Sequence, residues 1–398
     1  MFSPRIHLAI DNCFASKRWT RPADWARIIK NLGINYVEAS ADNECDPFYS
    51  DPGYLEDWLG EVESASEQTG VRVVNLYSGH GTYATLGLAS PDKRNRERIH
   101  NQWLKVMICN AARLRAGLGF YCHAFDEEIL QDPAAYAAAE QDLYTRLAEL
   151  ADYARAQNVN FIAVEQMYSP HQIPWTLEGA RRFLEEIHAR SHAPLYLTLD
   201  TGHQCGQRRF VRSTPAQIRQ ALERARLTGR LQAGLWLGPR SAYLILQAAA
   251  AQEEKQDEFL QRLDEEMDRY PYLFASWEDG DAYGWMRELG GYSPVIHLQQ
   301  TDGTTSSHSP FTVENNRQGI IHGHKVLQAI RVAYSAKADL RMPPRCENIY
   351  LTLEIFSGTA DLSMDILRGL AESVEEWRRY IPEDGLTLQE LLGKMKFC

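Results

Sequence analysis

Short apolar runs alternate with amphipathic segments along almost the whole chain, and that alternation limits the fold more than any other feature. The runs are IHLAI (6–10), INYVEAS (34–40), VRVVNLYSGH (71–80), AGLGFYCHAF (116–125), VNFIAVEQM (159–167), APLYLTLD (193–200), SPVIHLQQTD (293–302) and NIYLTLEIF (348–356). Between them lie stretches with helical spacing, several stopped by glycine, such as RPADWARIIKNLG (21–33) and YLEDWLGEVESASEQTG (54–70). Continuously apolar strands separated by helices imply a parallel sheet covered on both faces. Eight such units in 398 residues predict a closed (β/α)8 TIM barrel, a single domain over 1–398. An open doubly wound sheet is the competitor, but no Gly-x-Gly-x-x-Gly follows the first strand.

One interval breaks the pattern. The regular helix before the seventh strand is DGDAYGWMRELG (279–290), which leaves residues 207–280 as a charged, helix-forming insertion. It departs directly from the loop after strand six, so it starts on the face where a barrel carries its chemistry. A lid over the barrel mouth or a subunit contact is expected there, a homo-oligomer in the second case.

The net charge of −11 disfavours a nucleic-acid partner, which would call for a basic surface, while leaving room for a small anionic substrate. Seven scattered cysteines with no Cys-x-x-Cys pair make a poor disulfide framework and point to a reducing cytoplasm. The beginning MFSPRIHLAIDNCF has no basic region followed by a long apolar stretch, so no signal peptide is expected. No run of about 18 apolar residues suggests a membrane span.

The strand ends carry the chemistry. Strand five closes on Glu165, strand six on Asp200 and strand eight on Glu354, and strand seven holds His297 and Gln299. Each places a polar or ionisable group at the end of an apolar run, where a lone charge is costly to bury. Singly, each has an ordinary explanation: an Asp before Thr-Gly caps a helix, and a lone Glu pairs with an Arg. Four on consecutive strands are harder to produce that way. Converging carboxylates repel unless a cation neutralises them, and carboxylate, amide and imidazole donors suit one divalent ion, Mg²⁺, Mn²⁺ or Co²⁺. His297 and Gln299 are two apart on one strand, so both point the same way and either is a candidate ligand.

The ordered set VEQ, LDTGH, HLQQTD and TLE resembles the xylose isomerase-like superfamily of sugar isomerases and epimerases, over nearly the whole chain outside the insertion. The resemblance implies one divalent metal held by Glu165, Asp200, Gln299 and Glu354, since HLQQTD is similar to the His-x-Gln of hydroxypyruvate isomerase-like members. It makes His297 a neighbour in the pocket and His203 the substrate-contacting histidine of an Asp-x-x-His motif. EQMYSPHQIPWT (165–176) is further similar to the tetrulose-phosphate racemase/isomerase members of the erythritol pathway.

The expected reaction is isomerisation or epimerisation of a keto-sugar or sugar phosphate through a metal-stabilised cis-enediolate. Glu165 and Glu354 are the acid–base pair, one removing the proton α to the carbonyl and the other returning it. His80 and His308 are further substrate-binding candidates; Trp19 and Trp175 could wall a sugar, and Arg208, Arg209 and Lys325 could meet a phosphate. Each of these also has an ordinary structural reading. The rival chemistries are a metal-dependent phosphodiesterase resembling the AP endonucleases, a dehydratase on the same scaffold, and a sugar-binding barrel without turnover. The first would need extra histidines, and no Asp-x-His follows strand seven.

Overall fold

The computed structural model describes residues 3–40, 45–79, 85–230, 234–251 and 256–394. All eight expected strands form: β1 Arg5–Asp11, β2 Tyr36–Ser40, β3 Arg72–Ser78, β4 Gly117–Phe120, β5 Ile162–Glu165, β6 Tyr196–Asp200, β7 Val295–Leu298 and β8 Asn348–Leu353. Each pairs in parallel with the next, and β1 pairs with both β8 and β2, so the sheet closes on itself. Helices separate the strands around the outside, which makes the fold a (β/α)8 TIM barrel.

Local sequence explains the helix boundaries. Pro22 opens the helix Pro22–Asn31, where its missing N–H is no loss, and Trp25, Ala26 and Ile29 bury one face. Asp132 caps Pro133–Ala156 by accepting from Ala134 and Ala135, and Thr176 caps Leu177–Arg190 by accepting from Gly179. In β4 two glycines are demanded by crowding: a Cβ on Gly117 would lie 2.3 Å from the Phe161 ring, and one on Gly119 2.8 Å from Asn75 Nδ2. A ninth strand, Leu386–Thr387, pairs antiparallel with the start of β1. Two residues are too few to show a period, so no sequence pattern announces it.

Between β6 and β7 the chain builds three longer helices, Pro215–Thr228, Arg240–Ala251 and Gln256–Asp268. Ile218, Leu222, Leu246, Leu263 and Met267 form a hydrophobic core separate from that of the barrel. The two ends of this body run side by side as a neck, where Val211 bridges Ala275 in parallel and Ala275 N donates to Phe210 O at 3.0 Å. The body leans on the short helix Glu127–Leu130 beyond β4: Arg240 lies 3.3 Å from Glu127, and Tyr272 donates to Leu130 O at 3.0 Å. No helix among the described residues is long and apolar enough to cross a membrane.

Because the insertion has its own core, damage to it should stay local. Leu222→Ala, at a fully buried position, is expected to cost about 2–5 kcal/mol of insertion stability. Hydrogen exchange would then rise across residues 215–268 while the barrel strands keep their protection.

Candidate active site

All eight strands run the same way, so their C-terminal ends open on one face, and there Glu165, Asp200, His297 and Glu354 converge. One ligand atom from each lies within 4.8 Å of the others, and all four residues are buried. The register explains the convergence: Asp200 is level with His297, and Glu354 N, just past β8, donates to Leu298 O at 3.1 Å. His297 sits at the centre. Its Nε2 is 2.6 Å from Glu38 Oε1, and its Nδ1 is 3.1 Å from Glu165 Oε1 and 3.4 Å from Glu354 Oε2.

Asp200 Oδ1 accepts from the backbone N–H of Gly202 at 2.6 Å and of His203 at 2.9 Å, so this strand-end carboxylate also fixes its own loop. Gln299 lies against it, Nε2 being 2.9 Å from Oδ1 and 3.1 Å from Oδ2, while its Oε1 accepts from His308 N at 2.6 Å. Gly202 makes room for that amide, since a Cβ there would stand 2.4 Å from the Gln299 side chain. His203 is buried beside the cluster, its Nδ1 2.7 Å from Gln166 O and 3.9 Å from Glu165 Oε1. A carbonyl can only accept, so that nitrogen carries the hydrogen. His308 has a backbone φ of 46°, stacks on Phe356 at 4.0 Å and brings Nδ1 to 3.2 Å from Glu354 Oε2.

The remaining sequence candidates fall elsewhere. His80 lies outside the described residues. Trp175 is buried in edge contact with Phe210, Trp19 packs beside Phe14, and Lys325 sits over the Tyr283 ring. Arg208 directs its guanidinium to two backbone carbonyls, whereas Arg209 lines a cavity next to His203. Four neighbours of the cluster were not expected. Glu38 grips His297, Asn75 Nδ2 donates to Glu38 Oε2 at 2.5 Å, Tyr77 donates to Glu165, and Asp11 lies with Glu38 and His297. Two of them carried a readable signal: IHLAID ends on a carboxylate just as FIAVE does, and INYVEAS carries Glu38 near its end, so acids reach the strand ends on strands one and two as well.

The charges are strongly coupled. Burial acts against charge on His297, but Glu354 and Glu38 outweigh it and hold its pKa well above the ordinary histidine value. Burial likewise acts to raise Asp200, and the imidazoles of His203, His308 and His297 overcome it, leaving that carboxyl below its usual range. Asp11 goes the other way, pushed well up by burial and by Glu38 and Glu354. Burial also raises Glu354, against the pull of His297 and His308.

These residues fit a divalent cation. Four buried carboxyl groups, Glu38, Glu165, Asp200 and Glu354, face only the two imidazoles of His297 and His308, an imbalance that a divalent ion would relieve. Glu354 Oε2 is buried in the cluster without a well-formed hydrogen bond, which leaves lone pairs free for a ligand bond. Carboxylate oxygens, a carboxamide and an imidazole are the donors that Mg²⁺, Mn²⁺ and Co²⁺ accept.

The comparisons agree with this fold. The chain belongs to the xylose isomerase-like TIM barrel family, whose model matches residues 26–227. It is similar in structure to a Rhodospirillum rubrum protein named "Putative Xylose isomerase", at a TM-score of 0.67 and 18% identity, covering 94% of this chain and 99% of that one. An L-ribulose 3-epimerase gives 0.54 at 13% identity, covering 98% and 97%. A D-psicose 3-epimerase of Clostridium cellulolyticum H10 gives 0.54 at 13%, covering 94% and 98%. These likenesses establish the architecture. No curated protein matches the chain in sequence.

The His308 ring offers a direct test of the electrostatics. Burial acts to lower its pKa, but Glu354 and Asp200 raise it to about 9. A raised folded-state pKa means that the charged ring stabilises the fold fully below the unfolded value of about 6.5. That contribution is lost as pH climbs towards 9. NMR titration of the metal-free protein should find one ring with this midpoint, and His308→Gln should remove it.

Proposed function

We propose that the protein is a divalent-metal-dependent isomerase or epimerase of a keto-sugar or its phosphate, working by proton transfer next to a carbonyl. The observation that carries the reading is the pair Glu165 and Glu354, both within 3.4 Å of His297 Nδ1 and buried together at the strand ends. An ion held by Glu165, Asp200, Glu354 and Gln299 would polarise the substrate carbonyl and its neighbouring hydroxyl. Gln299 is favoured over His297 because both ring nitrogens of His297 already lie against carboxylates, Glu38 and Glu165. The Gln299 oxygen must then turn from His308 N towards Asp200.

In this reading one glutamate takes the proton α to the carbonyl and the other returns it, giving epimerisation, or isomerisation if return is to the adjacent carbon. Tyr77 orients Glu165 through its hydroxyl, and His203 and His308 hold substrate oxygens at the rim. The names of the two epimerases above describe this reaction type, inversion at the carbon beside a ketone. A cavity of about 290 Å³ opens beyond His203, lined by Tyr168, Ser169, Arg209, Thr304 and Ser306. Its arginine and hydroxyls suit a phosphate at the far end of the substrate. The insertion acts as a lid, a role supported by its departure from the end of β6 and its seat on Glu127–Leu130. A cytoplasmic setting is supported by six free cysteines among the described residues.

Incubation in D₂O with Mn²⁺ and a panel of keto-sugars and their phosphates should place deuterium α to the carbonyl of one member. Glu165→Gln and Glu354→Gln, with bound metal verified, should each slow that exchange about 10²–10⁴-fold. Full turnover by Glu354→Gln would remove it from the pair. Loss of water without exchange would indicate a dehydratase instead, and cleavage of a phosphodiester probe a hydrolase.

Metal titration tests the strand-seven ligand. Gln299→Ala is expected to weaken Mn²⁺ binding more than His297→Ala; the reverse order would make His297 the ligand.

A further inference from the structure

We infer that Arg208 is a positioning residue that couples the insertion to the catalytic loop after β7. It lies in the short turn Arg208–Phe210, which follows the Asp200–His203 loop and the four-residue helix Gln204–Gln207. Its guanidinium forks. Nη1 donates to Gly303 O at 2.9 Å, and Nη2 donates to Gly280 O at 2.9 Å. Gly280 ends the segment by which the insertion returns to the barrel, while Gly303 belongs to the loop that carries Ser306 and His308.

That loop is a compact unit. Gln300 and Ser309 close its stem through an antiparallel bridge, Thr301 Oγ1 donates to Thr305 O, and Gly303 has a φ of 87° that suits glycine. From it His308 reaches Glu354, and His308 N and Ser306 engage Gln299. One side chain therefore joins three parts: the end of the β6 loop, the neck of the insertion and the loop that sets two groups in the site. The neck is rigid beside it, because Val211 bridges Ala275 and Asp279 accepts from Leu177 N at 2.6 Å. The geometry of the fork also explains a glycine. A Cβ on Gly280 would sit 2.8 Å from Arg208 Cγ and 3.0 Å from its Nε, close to the root of the side chain where it cannot swing aside.

Arg208 was a candidate for phosphate binding on sequence, and its two bonds to carbonyls give it this other task. A lysine cannot copy it, since an ammonium has no planar fork to reach two carbonyls at once. Movement of the insertion, as when a substrate enters or leaves, would reach His308 through this guanidinium. Metal ligation plays no part in the inference, although the consequence for turnover rests on the function proposed above.

Hydrogen exchange read by mass spectrometry on the full-length protein tests it without a substrate. Arg208→Ala should speed exchange in residues 301–309 at least tenfold while β7, β8 and the helices of the insertion keep wild-type rates. Gly280→Ala, which displaces the same side chain from a distant point in the sequence, should produce the same pattern, and Arg208→Lys a smaller rise. Arg212→Ala is the control for loosening of the insertion by itself, because Arg212 pairs with Asp264 and Asp268 inside it: exchange should rise chiefly in the insertion, and by less in 301–309 than Arg208→Ala produces. Wild-type exchange in 301–309 for Arg208→Ala and Gly280→Ala would overturn the inference. So would an equal rise throughout the barrel, which would mean that Arg208 serves general stability only. If Arg208→Ala fails to fold, Gly280→Ala and Arg208→Lys decide in the same terms.

Discussion

The arrangement of this molecule turns on how several carboxylates are kept together out of water. A closed parallel barrel leaves little choice about where they go, since every strand delivers its C-terminal residue to the same opening. Two carboxylates about 4 Å apart repel by about 4 kcal/mol at an effective dielectric of about 20. Glu38, Glu165 and Glu354 are gathered around His297, whose ring nitrogens face all three. A protonated imidazole there offsets part of the repulsion and fixes the carboxylates in direction as well as in charge. Acid groups still outnumber imidazoles there, so the crowding that raises His297 is also the attraction that would hold a divalent metal.

The same crowding accounts for the small residues around the opening. Gly202 lies where any side chain would strike Gln299, and Gly280 where it would strike Arg208. Neither has a positive φ, so both are glycines of close approach and not of backbone strain. Their places mark the two ends of the interval between β6 and the barrel helix that precedes β7. An inserted body could have been attached loosely there. Instead its neck is bridged, its far side rests on the Glu127–Leu130 helix, and its own core makes it self-supporting.

The strands and most helices were legible because their residues obey a period, and a period survives without knowledge of the partner. β5 through β8 were legible as site-bearing strands because each places a polar group where an apolar run stops. A carboxylate also closes IHLAID and stands in INYVEAS, but Glu38 by itself is one strand-end acid with an ordinary structural explanation, and Asp11 lies one residue beyond the apolar run IHLAI. Tyr77 and Asn75 were harder, for a tyrosine or asparagine inside a strand is ordinary until the neighbouring strand shows what it faces. Arg208 was the least legible of all: nothing in RRF says that one arginine turns to carbonyls and the next to a cavity. That distinction is made by Gly280 and Gly303, tens of residues downstream.

Asp200 has a structural duty beside its place in the cluster. A strand-end Asp followed by Thr-Gly is a good backbone cap, and Oδ1 does accept from Gly202 and His203. A carboxylate has two oxygens, however, and four lone-pair directions between them. Capping takes one oxygen and, by doing so, fixes the plane in which the other must lie. An acid that first orders its own loop is therefore a better-directed group for a cation than a free one, because less motion is left to freeze when the ligand arrives. At such a position capping and cation binding are compatible duties, open to the two oxygens of one side chain.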